Sequence, residues 1–128
     1  ESVYQSERIQ RICNRLGVQC LNPLWKRKQK ALLEEIVAKG FKVIISGVFA
    51  YPLDSTWLGK ELNTELICAL LRLEKAFGLS PAGEGGEIET TVLDAPLFKK
   101  KIEILDSEVD AKGNSGVFRI KQARLVAK

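Results

Sequence analysis

The stretch FKVIISGVF, residues 41–49, decides how the rest of the chain is read. It is almost continuously apolar and rich in β-branched residues, with no polar alternation. Such a run reads as a strand buried on both faces, as in a parallel sheet. Upstream, Ile9, Ile12, Cys13 and Leu16 recur at helical spacing over residues 2–16. Ser2 with Gln5 fits a capping box at its start, and Gly17 is a natural stop. The short run VQCL (18–21) reads as a strand closed by Asn22-Pro23. Residues 24–39 read as a second helix, with Leu32, Leu33, Ile36 and Val37 inward and Gly40 at its end. Residues 1–50 therefore carry the rhythm helix, strand, helix, strand of an α/β sheet edge.

Downstream the pattern changes. Asn63 caps a third helix that runs to Phe77 and stops at Gly78, with Leu66, Ile67, Leu70 and Leu71 on its core face. Then come EIETTVLD (87–94), LFKKKIEILDSEVD (97–110) and VFRIKQARLVA (117–127). The turn AKGNSG (111–116) predicts a long antiparallel hairpin between the last two. The expected fold is α/β: the last units of a Rossmann-like parallel sheet over residues 1–50, then a small α+β domain with antiparallel strands over residues 51–128.

Composition narrows the chemistry. At 128 residues and 45% hydrophobic, the chain has enough apolar material for one ordinary core. No apolar stretch approaches the length that spans a bilayer, so no membrane association is expected. There is no histidine, which removes the commonest general base and every Cys/His zinc set. Three scattered cysteines make a poor metal set; no metal site is expected, and a reducing, cytoplasmic location is. Residues 1–64 hold ten Lys/Arg against six Asp/Glu, while residues 65–128 hold ten of each, so the net charge of +4 lies in the first half. There is no methionine, and the chain begins at Glu1. Together with strands that lack parallel partners, this gives the expectation of a later part of a larger protein.

The densest chemical signal is GEGGEIET (83–90), glycine-rich and acidic at once. Glycine loops that cradle phosphates do not carry carboxylates, so this one suits a cation or ammonia. By strand alternation Glu87, Glu89 and Thr91 share one face, and Ile88, Thr90 and Val92 the other. Two like charges on one face are unfavourable unless a cation or donor lies between them. The plainer reading is a solvated strand face after a glycine turn. Trp25, Tyr51 and Trp57 stand in or near loops, where they either pack between layers or, beside a carboxylate, hold a quaternary ammonium. WKRKQK (25–30) sets cations at a helix start, against the helix dipole. It is either a solvated face or an anionic docking patch, and Lys99, Lys100 and Lys101 read as edge-protecting lysines.

YQSERIQRICNRLG (4–17), PLWKRKQKALL (23–33), WLGKELN (57–63) and GEGGEIET with LDAPLFKKKIEI (93–104) together resemble the diphthine–ammonia ligases, N-type ATP-pyrophosphatases of the PP-loop superfamily. The resemblance runs from Tyr4 to about Glu108. It implies a two-part enzyme: a Rossmann-like domain whose Ser-Gly-Gly-Lys-Asp-Ser loop grips ATP, with Mg²⁺, and a smaller domain that receives substrate. It implies an ATP-dependent ligation of ammonia to diphthine, a modified histidine of elongation factor 2, releasing AMP and pyrophosphate. It further implies Glu84, Glu87 and Glu89 as catalytic carboxylates. Gly85, Gly86 and Thr90 would bind substrate, as would Tyr4, Gln5 and Arg8 at the domain junction and Trp57 and Gly59. The chain departs from the family in having no glycine-lysine-aspartate-serine loop; SGVF (46–49) and GNSG (113–116) lack the lysine. Ser2-Val3 and Ile88 are smaller departures. Two other expectations stand beside this one. The chain is a non-catalytic module that binds a translation component through Lys26, Arg27, Lys28 and Lys30, or it assembles as a homo-oligomer through an open sheet edge.

Overall fold

The computed structural model describes residues 3–128, so the Ser2 capping box lies outside the described residues. In chain order the elements are α1 (Val3–Leu16), α2 (Gln29–Ala38), β1 (Lys42–Val48), a 3-10 turn (Ser55–Trp57), α3 (Thr64–Phe77), β2 (Ile88–Asp94), β3 (Lys101–Lys112) and β4 (Ser115–Val126). The four strands form one sheet in the order β2-β1-β4-β3. Every pairing is antiparallel.

This corrects the parallel reading of residues 41–49. A continuous apolar run reports that both faces are covered; it carries no information on strand direction. β1 is an interior strand, and both of its edges are used. One edge pairs with β2 along its length. On the other, Gly47 and Val48 pair with Val117 and Gly116 of β4. The first half of that edge is taken by residues 59–62. Ile45 N–H donates to the Lys60 carbonyl at 3.0 Å, and Gly59 and Leu62 N–H donate back to Ile45 and Val43 at 2.8 Å. The sheet thus runs across residue 50, joining strands from both of the expected domains.

A bulge sets the core face. Ile45 faces Thr90 and Gly47 faces Glu89, so Ser46 is the extra residue on β1. The bulge resets the alternation and puts Ile45 and Val48 on the same side. They join Leu53, Leu58, Leu66, Leu70, Leu79 and Ile88 in the core. α3 delivers Leu66 and Leu70 to it one turn apart. The helix is capped as its sequence predicts: Leu66 N–H donates to Asn63 Oδ1 at 2.8 Å, and Gly78 ends it in the left-handed conformation. The hairpin is also where expected. Its strands extend to Lys112 and restart at Ser115, leaving a two-residue turn whose Gly113 has φ 59. Asn114 Nδ2 donates to the Leu53 carbonyl at 2.7 Å, tying that turn to the core.

Two other expectations are corrected. Residues 18–21 are not a strand: no strand pairing involves them among the described residues, and apart from half-buried Cys20 they are exposed. The second helix starts at Gln29 rather than residue 24. Trp25 N–H donates to Asn22 O and Arg27 N–H to Leu24 O, forming tight turns, and Lys26 has φ 59, which no helix interior accepts.

Glu35 closes the α2 surface. It accepts from Lys39 at 2.7 Å and also from Arg27. The Lys39 hydrogen bond first, then Arg27, lower its carboxyl from the ordinary 4.5 to about 2. A depressed folded-state pKa contributes stability above the ordinary value that is lost as pH falls through the folded one. Acid melts between about pH 5 and about pH 2 should therefore be flatter for Glu35→Gln than for the wild type. Superimposable acid limbs would refute that role.

Candidate functional site

The glycine loop is built around Ser80. Gly83 N–H donates to the Ser80 carbonyl at 3.0 Å, and Gly86 N–H to Gly83 at 3.1 Å, giving two consecutive turns. Gly83 has φ 75, and a Cβ there would stand 2.6 Å from the Ile88 carbonyl oxygen, so this position admits only glycine without rearrangement. Gly85 makes room of a different kind. The Glu87 carboxylate rests against it, its Cδ 2.6 Å from where a Cβ would sit.

Ser80 connects the loop to α2. Its hydroxyl donates to Gln29 Oε1 at 2.8 Å, and Ala82 N–H donates to the same oxygen at 2.8 Å. The Ser80 hydroxyl oxygen accepts Glu84 N–H at 3.0 Å. Ser80 N–H donates to Glu87 Oε1 at 3.3 Å. The second Glu87 oxygen, Oε2, is buried and has no hydrogen-bond partner among the described residues. Burying a carboxylate oxygen without a donor is costly, so the position calls for an N–H donor or a cation. The Glu87 carbonyl accepts Phe49 N–H at 2.9 Å, which fixes the residue to the sheet.

Beside this loop lies a cleft of about 240 Å³. Gln5, Ser6 and Ile9 of α1 form one wall, Asn22, Leu24 and Trp25 another, and Glu84 the third. A carboxylate and an indole thus share one recess. Gln5 and Glu84 both make further interactions in the molecule. Thr90 and Glu84 also border a neighbouring recess of about 120 Å³ whose other walls are mainly apolar, including Leu32, Ile36 and Pro81.

The structure thus brings together Glu84, Gly85, Gly86 and Glu87, with Gln5 and Thr90 at the margins. Glu89 is exposed opposite Gly47, over which the Phe49 ring lies. Tyr4 and Arg8 are exposed on α1, Arg8 Nη1 donating to Tyr4 Oη at 3.3 Å, and they do not line the cleft. Trp57 and Gly59 lie elsewhere. Lys60 Nζ sits 5.3 Å from the Trp57 ring centroid, and the Phe118 ring covers Gly59. Gln29 and Ser80 escaped sequence reasoning. Gln29 is hidden within a cationic run, and Ser80 has only its place ahead of Pro81 and the glycine loop as a signal. Among the described residues no group of three or more Cys, Asp or Glu could hold a metal ion.

Comparison with known proteins matches residues 28–126 to a family model described as the diphthamide synthase C-terminal domain. The chain is 44% identical over 120 residues to the diphthine–ammonia ligase of Schizosaccharomyces pombe, covering 94% of this chain and 20% of that protein. It is 48% identical over 108 residues to that of Mus musculus and 44% over 109 residues to that of Homo sapiens, each covering 84% of this chain and 40% of the relative. The chain therefore spans well under half the length of these relatives.

Proposed function

We propose, since the chain belongs to the diphthamide synthase C-terminal domain family, that it forms the substrate side of a diphthine–ammonia ligase. The reaction joins ammonia to the diphthine carboxylate of elongation factor 2 as an amide. Glu87 carries this reading: its buried Oε2, which has no hydrogen-bond partner among the described residues, is an acceptor suited to an N–H donor. A trimethylammonium group has no N–H to give, whereas ammonia and ammonium do. Glu87 then holds ammonium and takes its proton, leaving the nucleophilic lone pair. The diphthine cation suits the adjoining cleft, where the Trp25 ring and the Glu84 carboxylate share one wall-to-wall space.

ATP would activate the carboxylate and leave as AMP and pyrophosphate. The described residues include no Ser-Gly-Gly-Lys-Asp-Ser loop and no cluster of three or more Cys, Asp or Glu that could hold a metal ion. On this reading the nucleotide is held by a part of the ligase other than the described residues. In the docking-module alternative, Arg27 is paired with Glu35 and Lys30 with Glu34, while Lys26 and Lys28 form no ion pair among the described residues.

The test uses the whole protein with ATP, ammonium and elongation factor 2 bearing diphthine, and reads the carboxamide by peptide mass. Absence of that product overturns the reading. Trp25→Leu should raise the KM for the protein substrate about tenfold, the worth of a partly desolvated cation–π contact, with kcat retained.

A further inference from the structure

The loop from β2 to β3 presents groups that the ligase chemistry leaves unused. Phe98 N–H donates to the Ala95 carbonyl at 2.9 Å, closing a four-residue turn. Pro96 takes the second position of that turn, where its fixed φ is already correct. Lys128 Nζ donates to the same Ala95 carbonyl at 2.7 Å and ion-pairs with Asp94 at 2.7 Å. The base of the turn is thus clamped, and Ala95 itself is buried. At the tip Leu97 is 95% exposed and Phe98 41% exposed. Lys99, Lys100 and Lys101 follow, all exposed and without an ion pair among the described residues. Lys101 feels Asp94 as a Coulombic neighbour, but that carboxylate is already neutralised by Lys128. Lys99 and Lys100 therefore stand as uncompensated charge beside an apolar point.

A lone exposed leucine is ordinary. A leucine held out on a proline turn, next to a half-exposed phenylalanine and free cations, is pre-organised, and little entropy is lost when it is buried by a partner. We propose that this tip docks the protein that carries the substrate side chain. Leu97 and Phe98 enter an apolar recess of that partner, and Lys99 and Lys100 meet carboxylates around its rim. A clamped turn with one leading side chain fits a shaped protein recess; a bilayer needs more apolar area or a larger basic patch for stable attachment. The identity of the partner rests on the ligase reading, whereas the geometry of the tip does not.

The experiment measures equilibrium binding of the whole protein to immobilised elongation factor bearing diphthine, at low and high salt. Leu97→Asp should weaken binding roughly tenfold or more, the worth of burying one leucine. Charge reversal at Lys99 and Lys100 should weaken it at low salt and flatten its salt dependence. No binding by the wild type, or equal binding by all variants, overturns the docking proposal. So does wild-type co-sedimentation with phosphatidylcholine–phosphatidylserine vesicles that Leu97→Asp abolishes, because the tip would then be a lipid contact. Carboxamide formation is scored separately in the same samples. Its absence alongside Leu97-dependent binding sinks the ligase reading and leaves docking standing. Its presence with a KM unmoved by Leu97→Asp sinks docking alone. All substituted side chains are exposed, so an unchanged thermal melt confirms that each variant is folded.

Discussion

Glu87→Gln in the whole protein should lower amide formation by about a hundredfold or more, the usual worth of a positioned general base. The substitution keeps the shape of the side chain. A glutamine carbonyl can still accept Ser80 N–H in place of Oε1. What changes is the other end, where an acceptor oxygen becomes an NH₂ donor facing the space that ammonium is proposed to fill. Donor then meets donor, and no base remains to take the proton. The fold should be unaffected, because the glycine turns and the Gln29–Ser80 hydrogen bond do not use the Glu87 charge. Glu89→Gln is the matched control. Glu89 is exposed opposite Gly47, and its side chain makes no hydrogen bond or ion pair among the described residues, so loss of its charge should change the rate less than about threefold, as for most surface charges. Gly85→Ala gives an independent check. A methyl there displaces the Glu87 carboxylate while keeping its charge, so activity should fall although the base survives. Equal rates for wild type and Glu87→Gln, measured by carboxamide yield over time, would remove Glu87 from the chemistry.

What the sequence made legible was what short-range interactions decide. The Asn63 cap and Gly78 stop of α3 are local, and so is the Gly113-Asn114 turn that fixes the register of β3 and β4. The three glycines and three carboxylates of the loop were visible as composition, and their alternation followed from the strand. The direction of β1 was not legible, because an interior antiparallel strand and a parallel one bury the same residues. The start of α2 was misplaced because Lys26 takes a left-handed φ that lysine rarely adopts and no neighbouring residue announces. The site itself is assembled over long separations. Gln29 reaches Ser80 across 51 positions, and the cleft joins Gln5 to Trp25 and Glu84. Periodicity cannot report such contacts, nor that Trp57 and Gly59 do not line the cleft beside the loop.

Leu53→Ala should be among the most destabilising single changes in the chain, costing about 3 kcal/mol. Leu53 is fully buried at 0% exposure, yet it lies in the loop after β1 rather than in a helix or strand. It packs with Val48, Leu58 and Ile88, so truncation leaves a cavity at the point where sheet and loop meet. A loop residue carries a second burden. Its N–H donates to the Ala50 carbonyl at 2.9 Å, and its own carbonyl accepts Asn114 Nδ2 at 2.7 Å. The side chain therefore anchors the backbone that holds the β3–β4 turn against the core. At this chain length the loss corresponds to a fall in Tm of about 10 °C. Asn114→Ala removes only the hydrogen bond and should cost about 1 kcal/mol. The two changes share one loop, so the double variant should be less destabilised than the sum of the singles, since a backbone already released by Leu53→Ala has little left to lose from Asn114. Circular-dichroism melts of the three variants decide the matter. A Leu53→Ala melt within about 2 °C of the wild type would show that the loop repacks freely, and strict additivity would show that the turn is held by something other than Leu53.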